Sequence, residues 1–167
     1  MMCKPGYRYL VIMISTALLF GCTIKQPMNP VSKIIFSADS GPILPELQWH
    51  ETTTITIGKV VLVRNGKSDD SQVNAGTWEI PADSQQVELL FDQVGQADCR
   101  EIRRVEPDDL PDGGGTIRYT VTYETGKPCS LELDPGITYT HSERITAPVD
   151  SFIRGLTLPP DAAARIR

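Results

Sequence analysis

Histidine and positive charge are what this chain has least of. Only His50 and His141 represent histidine among 167 residues, and 16 Lys and Arg stand against 21 Asp and Glu, a formal net charge of −5. A surface of that sign has little with which to neutralise phosphates, so nucleic acid is excluded as a partner. Two histidines and four scattered cysteines make no zinc-ligand cluster. There is no C-x-x-C spacing to depress a thiol pKa and no G-x-S-x-G elbow to present a nucleophile. Gly113-Gly114-Gly115 lacks the Lys and the helix that follow in a phosphate loop. Neither an internal repeat nor a low-complexity tract is present, and no residue pattern calls for a cofactor. What is there suffices for a core: a chain 40% hydrophobic and 22% charged is not globally disordered. Its length suits one domain plus a targeting segment.

The targeting segment is residues 1–21. Lys4 and Arg8 open it, Tyr9 to Phe20 carries no charge, and small residues follow at Gly21 and Cys22. That order of basic start, short apolar stretch and small cleavage site is the grammar of a secretory signal. The apolar stretch falls well short of the ~20 residues that cross a bilayer.

Leu19-Phe20-Gly21-Cys22 resembles the lipobox of bacterial lipoproteins. The resemblance implies diacylglycerol in thioether linkage on Cys22, cleavage before it, and an acyl chain, typically palmitate, on the new amino group. One chain anchors marginally at ~0.8 kcal/mol per buried CH₂, whereas two or three hold permanently. Thr23 follows where Asp would imply retention at the inner membrane, so the resemblance implies the outer membrane, facing the periplasm. Cleavage removes two basic residues and no acidic one, leaving 14 against 21 and a net charge of −7. An acidic body does not lie flat on anionic lipid. Residues 22–30, with Pro27 and Pro30, read as a lipidated tether.

Residues 31–160 read as an all-β domain, with 161–167 as a tail behind Pro159-Pro160 that forms one helical turn or frays. The clearest strand is 117–124, whose alternation places Ile117, Tyr119, Val121 and Tyr123 on one buried face. Further strands are expected at 52–57, 59–64, 76–80, 86–92, 100–106, 129–134, 137–144 and 149–158. KVVLVR at 59–64 reads as a central strand capped by its charges, with Asn65-Gly66 as a tight turn behind it. Short strands at even spacing point to a single antiparallel β-sandwich. Leu131-x-Leu133-x-Pro135-Gly136-x-x-Tyr139 resembles the corner of a fibronectin type III domain, in which the Tyr bonds backbone upstream. It implies an immunoglobulin- or fibronectin III-like Greek key.

With Cys3 removed and Cys22 lipidated, Cys99 and Cys129 remain as an even pair in an oxidising compartment, and a disulfide is expected between them. Catalytic candidates are few. His50 and His141 are the only bases for a hydrolase, and Ser142 points away from its neighbour His141 on a strand. Asp108, Asp109 and Asp112 put three carboxylates in a glycine-rich loop, a calcium candidate without the EF-hand spacing. Asp and Gly are equally what a tight solvated loop uses. Trp49, Trp78, Tyr119, Tyr123 and Tyr139 are available to line a glycan surface, although period-2 placement makes Tyr119 and Tyr123 core. The leading expectation is a non-enzymatic envelope lipoprotein, held to the membrane through Cys22 and binding a protein, cell-wall or glycan partner. An envelope hydrolase and a calcium-stabilised module are the alternatives.

Overall fold

The structure, a computed structural model, describes residues 29–166. The signal segment 1–21, Cys22 and the tether up to residue 28 lie outside the described residues. Among those described, no helix is long and apolar enough to cross a membrane.

Eight strands form, and the structure is predominantly β and antiparallel. They are β1 (Val31–Asp39), β2 (Trp49–Thr56), β3 (Lys59–Gly66), β4 (Gly76–Ile80), β5 (Arg103–Val105), β6 (Ile117–Tyr123), β7 (Cys129–Leu133) and β8 (Thr138–Thr140). Six make one sheet in the order β4-β3-β2-β1-β6-β7, and β5 pairs with β8 in a separate ribbon. Among the described residues there are also three α-helices, α1 (Ser84–Val94), α2 (Glu143–Gly155) and the short α3 (Pro160–Ala163), and a 3-10 turn at Pro45–Leu47.

Parity explains the sheet. Ile34 stands opposite Ile55 on one side and Val121 on the other, and Val121 opposite Cys129. All four are at most 1% exposed. The residues between them, among them Thr52, Thr54, Thr120 and Thr122, face the other way and are only half-buried. One face is therefore core and the other a β-branched, threonine-rich surface.

The single immunoglobulin- or fibronectin-like sandwich is not confirmed. The apolar face is covered by α1, α2 and the small ribbon instead of a second broad sheet. Two expected strands account for this. Residues 86–92 lie in α1, where Asp83 caps the helix by accepting from Gln85 N at 2.9 Å. Val87, Leu90, Phe91 and Val94 recur at helical spacing and are all buried. Residues 149–158 fall largely in α2, whose buried Ile145 and Val149 are one turn apart. In both, a short apolar run was compatible with either period, and flanking residues decided: the cap at Asp83, and Ile145 upstream.

Asn65-Gly66 is not the tight turn expected of it. Both residues are strand, paired with His50 and Trp49, and the β2–β3 hairpin turns at Ile57-Gly58. Glycine is required at 66 for a different reason, since a Cβ there would collide with the Ser71 side chain. The 100–106 and 137–144 strands shrink to the three-residue β5 and β8.

The disulfide is present between Cys99 and Cys129, with Cα atoms 5.8 Å apart. It ties the loop after α1 to edge strand β7, and so joins the helical layer to the sheet. The corner at Leu131–Tyr139 also carries its expected bond: Glu132 N donates to Tyr139 Oη at 3.2 Å.

Candidate functional site

The sequence-predicted candidates do not converge. His50 is exposed, and its Nε2 lies 3.2 Å from Thr52 Oγ1. His141 is exposed at the end of β8, with Nδ1 3.9 Å from Glu143. Ser142 Oγ is committed to the Tyr139 carbonyl oxygen at 3.0 Å. Neither histidine is thus hydrogen-bonded to both a nucleophile and an acid. Asp108, Asp109 and Asp112 are all exposed, and among the described residues no three His, Cys, Asp or Glu side chains gather closely enough to hold a metal.

What the fold does bring together is a charged cluster at one end of the sheet. The inward parity of β2 runs Glu51, Thr53, Ile55, and that of β3 runs Val60, Leu62, Arg64. Glu51 and Arg64 are directly opposite in register. Arg64 is 1% and Glu51 7% exposed, and Arg64 Nε donates to Glu51 Oε1 at 2.6 Å. The remaining Arg64 donors hold the C-terminal segment. Nη2 donates to Ala162 O at 2.8 Å, and Nη1 to Ala164 O at 2.9 Å and Asn74 O at 3.4 Å. The Ala162 and Ala164 carbonyls are those left free at the end of α3, so a buried guanidinium caps that helix.

The segment 160–166 is therefore not a frayed tail. Asn74 N donates to Arg165 O at 2.8 Å, Asn74 Nδ2 donates to Asp161 O, and Val73 bridges to Ile166. Trp78 Nε1 donates to Asp161 Oδ2 at 2.8 Å. Arg165 returns over the cluster: its Nε reaches Glu51 Oε1 at 2.9 Å, its Nη2 reaches Oε2 at 3.3 Å, and its guanidinium lies 4.4 Å from the Trp49 ring centre. Arg64 lies 5.3 Å from the ring of Trp78. Both tryptophans are thus cation–π partners of these guanidiniums. One carboxylate between two guanidiniums leaves the trio positive by one.

Beside this strap is a cavity of about 470 Å³. Its floor is the sheet, with Phe36, Thr53 and Leu62 side by side on β1, β2 and β3. Ile153 and Leu156 from the end of α2 form one wall. Ile117 and Leu158 stand at the mouth, and 38% and 37% of their surface is exposed. Trp49, Glu51 and Arg165 form the polar rim on one side. Asp39 lies on the other, where its Oδ1 accepts from Gly41 N at 2.9 Å and Thr116 N at 3.3 Å, 3.8 Å from Lys67 Nζ. Next to Asp39, Gly41, at φ +68°, and Gly114 bring two backbones into contact; a Cβ on Gly41 would overlap Gly114 O. Beside the floor and on the same face, Phe36 meets Tyr119 edge-on at 5.3 Å, and Tyr119 Oη donates to Asp150 Oδ1 at 2.6 Å. Burial, then the Asp150 contact, pushes the Tyr119 hydroxyl well above its ordinary value.

Sequence reasoning placed Arg64 as a charge ending a strand. Its parity with Val60 and Leu62 was the available signal, overridden by the rule that arginine faces water. Compared with family models, curated proteins and solved structures, the chain finds no match.

Proposed function

We propose that this chain is a lipid-anchored protein of the bacterial envelope that acts by binding, and that the cavity between the sheet, α2 and the C-terminal strap is its binding site. The cavity carries the reading: it is concave, mostly apolar, fringed by a few fixed polar groups, and within the 300–1,000 Å³ range typical of ligand sites. The lipobox-like Leu19-Phe20-Gly21-Cys22 supports the anchor, and Thr23 supports the outer membrane. The Cys99–Cys129 bond fits an oxidising compartment such as the periplasm. The tether enters at Val31, while the rim residue Asp39 closes the far end of β1, roughly 26 Å away at ~3.3 Å per residue. The anchor therefore presents the mouth away from the attachment point. The corner bond from Glu132 to Tyr139 supports the fibronectin type III resemblance, over that corner alone.

Two measurements test this. Cells grown with labelled palmitate yield label on the purified wild-type chain and none on Cys22→Ser, which moves from the membrane to the soluble fraction. Cavity occupancy is read by native mass spectrometry of the protein released from membranes. A co-purifying small ligand lost in Leu156→Trp, which fills the cavity from a half-exposed position, is the expected result. A Cys22→Ser protein that still sediments with membranes overturns the anchor, and an occupant unaffected by Leu156→Trp overturns the site.

A further inference from the structure

Resting on the cavity as the binding site, we propose that its ligand is a single acyl chain with an anionic head, the chain lying on Phe36 and Leu62 and the head meeting Arg165. Three observations combine. First, the lining residues come from five adjacent strands, from Ile117 on β6 to Ile80 on β4. At ~4.8 Å per strand the floor is roughly 19 Å long. A volume of about 470 Å³ along a floor of that length accommodates one elongated apolar group such as a single acyl chain. Second, the floor offers a chain no polar demand beyond Thr53, and the exposed Ile117 and Leu158 continue the apolar surface out to the mouth. Third, the rim holds a guanidinium with capacity to spare. Of the five N–H donors of Arg165, Glu51 takes two, leaving both Nη1 hydrogens and one on Nη2. Stacking on Trp49 fixes the plane of the group, and Arg64 already compensates Glu51. An incoming anion therefore completes the trio without displacing an existing pair. The other rim acid, Asp39, is satisfied by two backbone N–H groups and faces Lys67.

The test photolabels the full chain in lipid nanodiscs with a diazirine analogue of palmitate and maps the label by mass spectrometry. Label is expected on the segments carrying Phe36, Leu62 and Leu156–Leu158, and it is abolished in Leu156→Trp. Unlabelled palmitate displaces it about tenfold more effectively than hexadecanol, which has the chain without the charge. In Arg165→Gln, whose backbone remains held by Asn74, that preference disappears. Lysophosphatidylglycerol as competitor separates the sources: displacement by it and not by palmitate assigns a lysolipid, the reverse a free fatty acid. Equal displacement by hexadecanol and palmitate overturns the anionic head and leaves the cavity reading standing. Label absent from the cavity segments, or unchanged by Leu156→Trp, overturns the acyl ligand. An occupant of another chemistry lost in Leu156→Trp would then preserve the site.

Discussion

Arg64 is the residue on which most groups depend. It sits opposite Glu51, 1% exposed, and satisfies carbonyls at Asn74, Ala162 and Ala164. Glu51 keeps Arg165 when Arg64 is removed, but the carbonyls lose their donor, and leaving a buried acceptor unsatisfied costs about 1–3 kcal/mol. Arg64→Met is expected to lose that much in urea unfolding. The double variant Arg64→Met, Glu51→Leu is expected to lose less than the single-variant losses combined, with the coupling read from a double-mutant cycle. Tyr119 gives a second residue-scale prediction. Its pKa is raised on folding, so the neutral phenol is favoured in the native state. The stability this contributes is complete below the ordinary tyrosine value of about 10 and decays as pH rises above it. Wild-type stability is expected to fall between about pH 10 and 11.5, and Tyr119→Phe to flatten that slope.

At the scale of elements, α1 and α2 replace two expected strands. The helix α1 has its signals in the sequence: Pro81-Ala82-Asp83 ends in a capping residue, and the buried positions after it, 87, 90, 91 and 94, are spaced three or four apart along one face. What concealed it was the apolar triplet Leu89-Leu90-Phe91, in which Leu89 is 60% exposed and breaks the stripe. Asp83→Ala is expected to destabilise by about 1 kcal/mol, with reduced hydrogen-exchange protection confined to the first turn of α1. Strands β2, β3, β4, β6 and β7 were read nearly to their boundaries. Their β-branched alternation faces a core on one side and half-buried threonines on the other, so period and burial agree. The C-terminal strap was not legible, since its partners Glu51, Arg64 and Asn74 lie about ninety or more residues upstream.

Over the whole molecule, the layer of helices and the sheet meet through packing and through one covalent tie. Cys99 and Cys129 close a loop with a sequence separation of 30. Its reduction is expected to lower unfolding stability by about 3–4 kcal/mol in the chain-entropy picture, measured by urea titration with and without reductant. The sheet topology places Val31 and the cavity rim residue Asp39 at opposite ends of β1.

By itself the sequence determined the basic start, the lipobox-like segment at Cys22, the alternation that turns Tyr119, Val121 and Tyr123 inward, and the expectation of a bond between Cys99 and Cys129. These follow from local order, charge and periods that neighbouring residues express together. Only the tertiary structure decided that helices cover the apolar face, that Arg64 is buried and that the last residues are strapped beside a cavity. Each of those depends on groups distant in the chain meeting in space, where a buried charge becomes tolerable only once its partners have arrived.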